Sequence, residues 1–203
     1  MGKHCCEHKV ENIEDNLPFK KALYFAFVIN FSMFVLEVAQ GISAKSLSLK
    51  ADAIDFLGDS LNYAISLFVI SASIQTRAKV SFFKALSMLF FGFWVIYEAV
   101  ITFNSAQLPN SFTMSWVGIL ALVSNAVVAM VLYKFRTGDS NMQSVWLCSR
   151  NDALGNLAVV LASIGVYYWN SKWPDLLVAS AMALLAMQAS LTVFKAAMRE
   201  LNN

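Results

Sequence analysis

Charged residues are scarce in this chain, and their scarcity restricts the class of protein. Lys, Arg, Asp and Glu make up 14% of the 203 residues, whereas hydrophobic residues make up 58%. A soluble domain has about one quarter charged residues and is about half apolar. The composition therefore argues against a soluble domain and predicts a chain that lies mostly in lipid. The formal net charge of +2 is too small to indicate a nucleic-acid partner.

Cysteine and histidine are also few. Cys5 and Cys6 are adjacent in a polar tail and Cys148 lies in an apolar stretch, so the three do not form a disulfide framework. Both histidines, His4 and His8, are in the same tail, so an HExxH metalloprotease motif is absent. A thiol enzyme built on Cys148 would lack a nearby base. The N-terminus has no early apolar run and is not a signal peptide. We therefore predict that the protein is not an enzyme.

The chain contains several long apolar segments. A helix of about 20 apolar residues crosses the hydrocarbon core of a bilayer. The sequence predicts an all-α membrane protein with six transmembrane helices, and we expect residues 19–203 to form this domain behind a cytoplasmic tail, residues 1–18. The predicted spans cover residues 22–44, 51–75, 85–108, 113–133, 144–168 and 176–194.

The basic residues predict the orientation of these spans. Eleven of the fifteen Lys and Arg residues lie in the N-terminal tail, the linkers after spans two and four, and the C-terminal tail. Only Lys45, Lys50 and Lys172 lie on the other side, and Arg150 lies within a span. Cytoplasmic loops carry the excess of basic residues, so both termini are expected in the cytoplasm. We expect the cytoplasmic (inner) membrane as the location.

Two pairs of residues inside the spans carry the predicted chemistry. Asp55 and Asp59 are four residues apart in span two, and Cys148 and Asp152 are four apart in span five. Residues at this spacing share one face of a helix. A charge at a helix centre costs at least about 2.5 to 3.5 kcal/mol in the bilayer, so a cation or protons must offset it.

The two pairs are predicted to meet near mid-membrane. Span two enters from outside and span five from inside, so Asp59 lies about 13 Å deep and Asp152 about 12 Å deep at 1.5 Å per residue. Spans one to three and four to six are then two halves of opposite orientation, each with its polar pair on the second helix. This placement suggests a 3+3 inverted repeat with a site at its centre, a pattern typical of transporters.

Three carboxylates and one thiolate form a ligand set for a divalent metal ion. Zinc accepts oxygen, nitrogen and sulfur ligands in a tetrahedron. The thiolate favours softer ions over magnesium and calcium, so cadmium and cobalt also fit. Because binding requires ionised ligands, it releases protons, which predicts proton-coupled transport. The alternative is a small proton-coupled transporter of organic cations in which the intramembrane Asp residues carry protons.

Other polar residues allow more than one interpretation. Asp52 either adds a ligand or caps the outer end of span two, and Asn156 is a candidate hydrogen-bond partner of the ligands. Arg150 is either a counter-charge or extends to the inner interface. Glu37 and Glu98 fit a role in packing or access better than ligation.

A second cluster of metal ligands lies in the tail. His4, Cys5, Cys6 and His8 fall within five residues. These residue types bind zinc and softer metals, so the cluster is either a metal-capturing tail or a disordered tail with incidental ligands.

The stretch from Asn30 to Ser60 resembles the cation diffusion facilitator family of zinc and divalent-cation transporters. The resemblance lies in Glu37, Gly41 and the sequence SLSLKADAIDFLGD that ends at Asp59. CSRNDALGN in span five and YEAV in span three extend it over the membrane region. The family pattern has a DxxxD or HxxxD pair in span two and HxxxD in span five, and Cys148 stands where the family usually has His.

The resemblance implies a function, and this chain differs from the family pattern in two ways. Family members are typically proton-coupled homodimers that export metal from the cytoplasm by alternating access, and many carry a metal-sensing cytoplasmic domain after span six. We therefore expect a Zn²⁺ exporter, with Cd²⁺ or Co²⁺ as further substrates, that binds metal ions, protons and membrane lipid. The chain ends at Asn203, so we expect a short member without that domain. Cys148 in place of His is expected to change metal preference.

Overall fold

The computed structural model describes residues 17–68, 74–105, 107–136 and 140–201, apart from some side chains within the helices, Cys148 among them. Within these ranges the chain forms six long α-helices, one 3-10 turn and no strand. The helices are α1 (Leu17–Ser43), α2 (Leu47–Phe68), α3 (Ile74–Phe103), α4 (Ser111–Leu132), α5 (Ser140–Trp169) and α6 (Trp173–Leu201). The all-α prediction is confirmed for the described residues.

Five stretches of these helices are long and apolar enough to cross a membrane. They are Leu17–Ser43, Ala85–Phe103, Ser111–Phe135, Ser149–Trp169 and Trp173–Arg199. The remaining helix, α2, falls short because it carries Lys50 and three aspartates in 22 residues. Five candidate spans are thus supported by composition, and α2 is the exception because of the residues predicted to bind metal.

The helices do not end where the predicted spans end. The described part of α2 reaches Phe68, and Ile74, predicted in span two, lies in α3. The polar first turns of α3, which include the exposed Lys79, remain helical because a long basic side chain can reach water from a membrane interface. At its other end α3 ends at Phe103, not at 108. Pro109 disfavours helical backbone in the residue before it.

The helices pack as a group of four and a pair. α1 contacts α2 and α4, and α4 contacts α5, while α3 packs mainly against α6. The pair α3–α6 meets the group through α2 and α5. α2 therefore contacts every other helix of the described bundle.

Three clusters of buried apolar residues follow one another along the bundle. We call the end with the linkers 44–46, 104–110 and 170–172 the outer end, after the predicted orientation, and the opposite end the inner end. The largest cluster lies toward the outer end and includes Leu47, Ala51 and Leu176. A second, toward the inner end, includes Ala22, and Met33, Phe56 and Ala121 lie between the two.

Tight turns and lysine contacts join the helices at the outer end. Just after α1, Lys45 has a φ of 54°, and the Ser46 amide donates to the Gly41 carbonyl at 3.1 Å, the pattern of a Schellman cap. Lys50 of α2 forms an ion pair with Glu98 of α3. The Lys172 ammonium donates to the Thr102 and Phe103 carbonyls, at 2.7 and 2.8 Å, at the end of α3.

Gly41 should be intolerant of a larger side chain. A Cβ there would lie 3.0 Å from Lys50 Cγ and 3.2 Å from the Lys50 backbone nitrogen, because α1 and α2 approach closely after the turn. We expect Gly41→Val to lower the free energy of unfolding by about 1–3 kcal/mol, the usual cost of overpacking.

Thermal unfolding in detergent measures this effect, and Ser43→Val is the matched control because Ser43 is exposed in the same turn. Equal melting temperatures of the two variants would contradict the close approach.

Candidate metal site

Three aspartates follow one side of α2. Asp52, Asp55 and Asp59 are spaced by three and four residues, which places them along one face of the helix. Asp52 is buried, at 2% exposure, whereas Asp55 and Asp59 are partly exposed. The local sequence makes this face possible because the residues between the aspartates are apolar or small, and Ala53, Ile54 and Phe56 are buried in the bundle.

Asp152 approaches this face from α5. Its carboxyl group lies beside the Asp59 carboxyl group and faces the side of α2 that carries Asp55 and Asp52. Asp152 Oδ2 is buried and has no hydrogen-bond partner. Two carboxyl groups so close need either a shared proton or a cation between them, because two bare carboxylates repel each other.

Tyr63 connects the same two helices one turn further toward the inner end. The buried Tyr63 hydroxyl lies 3.3 Å from Asp59 Oδ2, to which it donates, and 2.9 Å from Ser149 Oγ on α5. These contacts orient the Asp59 carboxyl group and fix the register of α2 against α5. The sequence contained a signal for this role, because Tyr63 follows Asp59 by four residues and so lies on the same helix face, but hydroxyl groups were not among the predicted site residues.

The other predicted metal ligands are Cys148 and the cluster in the N-terminal tail. The side chain of Cys148 lies outside the described part of the structure, and so do His4, Cys5, Cys6 and His8. Within the described residues, no three Asp, Glu, Cys or His side chains stand close enough to hold one metal ion. What the structure brings together is the Asp59–Asp152 pair with Asp55 nearby, and the four-ligand set stays a prediction.

Asn156 and Arg150 differ in their surroundings. Asn156 is fully buried one turn after Asp152, and both of its side-chain polar atoms lack a hydrogen-bond partner. Arg150 is exposed, donates to the neighbouring Asn151 at 3.3 Å and lies 5.3 Å from the Trp146 ring centre. Asn156 is thus available to a bound ion or its ligands, whereas the described contacts of Arg150 are with residues of its own helix.

Asp52 pairs with Glu37 of α1. Glu37 is fully buried next to the Asp52 carboxyl group, and neither of its own carboxyl oxygens has a hydrogen-bond partner among the described residues. Asp52 does not cap α2, because the first amides of that helix donate to Asp175 of α6. In the sequence, Glu37 stands out as the single acidic residue of the apolar first span. Its position near Asp52 on α2 could not be inferred from spacing.

The sequence is similar to a known family of transmembrane proteins. The sequence model described as the cation efflux transmembrane domain matches residues 23–202. The cadmium, cobalt and zinc/H(+)-K(+) antiporter of Bacillus subtilis (strain 168) is 25% identical over 192 residues, with 87% of this chain and 61% of that protein covered.

Two further relatives have similar coverage. The metal cation efflux system protein CzcD of Cupriavidus metallidurans is 23% identical over 194 residues, covering 90% of this chain and 61% of that protein. The zinc transporter ZitB of Pectobacterium atrosepticum is 25% identical over 198 residues, covering 89% and 61%. The chain therefore spans about three fifths of the length of these relatives.

Removing the Tyr63 hydroxyl should weaken metal binding. We expect Tyr63→Phe to raise the Kd for Co²⁺ or Zn²⁺ about fivefold, because Asp59 loses one orienting hydrogen bond worth about 1 kcal/mol. Titration calorimetry on the purified protein measures the change. Tyr24→Phe, the same change at an exposed position of α1, should leave the Kd unaltered. Identical Kd values for both variants would show that Tyr63 does not orient a ligand.

Proposed function

The chain belongs to the cation efflux family, a family of membrane transporters and not of enzymes, and from this premise we propose that it carries divalent metal ions across the membrane. It is an integral membrane protein, which we place in the cytoplasmic membrane. The proposed site consists of Asp55, Asp59, Cys148 and Asp152. The observation that carries the proposal is the approach of Asp152 on α5 to Asp59 and Asp55 on α2, inside an apolar bundle.

A carboxyl pair between two helices is suited to a cation that must enter and leave. The partly exposed Asp55, Asp59 and Asp152 supply oxygen ligands, and Cys148, four residues before Asp152, belongs to the same face of α5. Asn156 and Asp52 are candidate accessory ligands toward the outer end. Oxygen and thiolate ligands together favour Zn²⁺, with Cd²⁺ and Co²⁺ as further substrates.

The transport is proposed to be an exchange of metal for protons. Binding requires ionised carboxylates and thiolate, and a carboxyl pair that holds a proton when no metal is present must release it when the metal arrives. Alternating access of the site to the two sides then moves metal out of the cytoplasm and protons inward.

This transport implies an architecture for the whole chain. We propose that α2 is the sixth span despite its charges, with both termini in the cytoplasm and a 3+3 inverted repeat. A homodimer is proposed as the assembly, and His4, Cys5, Cys6 and His8 as a metal-capturing segment of the tail.

A different substrate would use the same carboxyl groups. Because Asp59 and Asp152 can share a proton without metal, the site also suits a proton-coupled transporter of organic cations. The two functions differ in direct binding: saturable binding of Zn²⁺ or Co²⁺ by the purified chain supports the metal carrier, and its absence supports the alternative.

Loss of one carboxylate on either helix should abolish metal transport. We expect Asp59→Ala and Asp152→Ala to lower Zn²⁺ flux into proteoliposomes at least about tenfold, since even supporting residues of metal sites are worth 10–100-fold. Asp139→Ala, the same change in the segment between α4 and α5, is the matched control.

The flux should also follow an imposed pH gradient and reverse with it. Flux that persists in both site variants contradicts the proposed site, and flux that ignores the gradient contradicts proton exchange.

The thiol of Cys148 should set metal preference. We expect Cys148→Ser to reduce Cd²⁺ transport about tenfold and Zn²⁺ transport less, because replacing a soft thiolate with a hydroxyl costs the softer ion more. Initial rates for the two metals in the same vesicles give the ratio. Equal losses for cadmium and zinc would argue against a thiolate ligand.

A further inference from the structure

One carboxylate of α6 receives most of the hydrogen bonds that hold the start of α2. Asp175 lies in the first turn of α6 and is 2% exposed. Its Oδ1 accepts from Ser46 Oγ at 2.7 Å, from the Ser48 amide at 3.0 Å and from Ser48 Oγ at 2.6 Å, and its Oδ2 accepts from the Leu47 amide at 2.7 Å. No part of the proposed metal site uses this residue.

These contacts make Asp175 a helix cap supplied by another helix. The first amides of an α-helix have no partner within the helix, and a negative charge beside them is favourable because of the helix dipole. Ser46 performs part of the capping from within the chain, since its Oγ accepts from the Leu49 amide at 3.3 Å. The same hydroxyl donates to Asp175, so the cap of α2 and the first turn of α6 form one hydrogen-bonded unit.

The cap lies where the two groups of helices meet. α6 is the main partner of α3, whereas α2 packs on α1 and carries Asp52, Asp55 and Asp59. Leu47 and Leu176, which adjoin the cap residues in sequence, belong to the apolar outer cluster, and so does Ala51 one turn further along α2. The hydrogen bonds to Asp175 at this point both close the outer end and fix α2 to the α3–α6 pair.

We propose that Asp175 is a positioning residue for transport. It caps α2 from α6, keeps the outer end of the bundle closed, and makes α2 follow the α3–α6 pair when the helices move. The closure is a property of the fold, whereas the effect on turnover rests on the proposed metal transport.

Thiol labelling tests the closure without any metal. In the full chain with Cys5, Cys6 and Cys148 changed to Ser, one reporter is placed at Ala51→Cys in the outer cluster and another at Ala22→Cys in the inner cluster. We expect Asp175→Ala to raise the labelling rate at position 51 at least about tenfold and at position 22 less than about twofold, because the opening is local.

The outcomes separate a local cap from a general loss of stability. Ser48→Ala, which removes one of the four hydrogen bonds, should raise labelling at position 51 by a smaller factor and provides a milder variant if Asp175→Ala does not fold. Asp175→Glu, which keeps the carboxylate, should restore part of the protection. Equal increases at positions 51 and 22, or no increase at 51, would overturn the proposal.

Metal flux tests the effect on turnover. With the native cysteines present, we expect Asp175→Ala to lower the maximal rate of Zn²⁺ transport at least about tenfold while KM changes less than about threefold, because an interaction needed for movement and not for binding lowers the rate alone. A higher KM at an unchanged maximal rate would overturn the positioning role. If the unaltered chain moves no metal, the proposed function fails, and the labelling experiment still decides the role of Asp175 in closure.

Discussion

Burial of carboxyl groups in an apolar bundle is the constraint that shapes this protein. An uncompensated charge there costs several kcal/mol, and α2 alone carries three aspartates. The structure responds by bringing the groups together in pairs across helices, Glu37 with Asp52 and Asp59 with Asp152. A pair can share one proton or bind one cation, so the burial that makes a lone carboxylate costly makes the pair selective for positive charge. The packing of α1 and α5 around α2 follows from this need.

Polar contacts add to the apolar packing at the outer end of the bundle. The outer end has hydrogen bonds to Asp175, the ion pair of Lys50 with Glu98, and the bonds from Lys172 to the end of α3. These contacts lie beside the largest apolar cluster. Water can replace a polar contact at a net cost of about 1 kcal/mol, whereas separating apolar surfaces costs in proportion to their area. The polar contacts are therefore the part of the outer closure that water can compete for.

The sequence predicted the parts of this arrangement that depend on local periodicity. Apolar runs indicated the helices, and the i, i+4 spacing placed Asp55 with Asp59 on one face. The approach of Asp152 to Asp59 followed from matching depths in antiparallel spans. Helix ends were less predictable, because the polar start of α3 stays helical beyond its apolar segment.

The cap at Asp175 could not be predicted, because its partners lie 127 to 129 residues away in the chain. An aspartate in the first turn of a helix is ordinarily explained by its own helix dipole. Ser46 and Ser48 likewise have an ordinary explanation as local caps of α2. Each of these residues has a sufficient explanation within its own helix, so nothing in the sequence indicated that the starts of α2 and α6 meet.

α2 joins all of these features, which limits how the protein can move. Along one helix it meets Asp175 of α6 at its first turn, Glu37 of α1 one turn later, and Asp152 of α5 beyond that, with Tyr63 bonded to Ser149 at the next turn. A hydrogen-bonded helix transmits displacement along its axis because its turns do not stretch independently. A change of charge at the central carboxyl pair therefore acts on the same rigid body as a change at the outer cap. The carboxyl pair and the outer cap are linked through α2 itself, and no separate chain of contacts is needed to couple them.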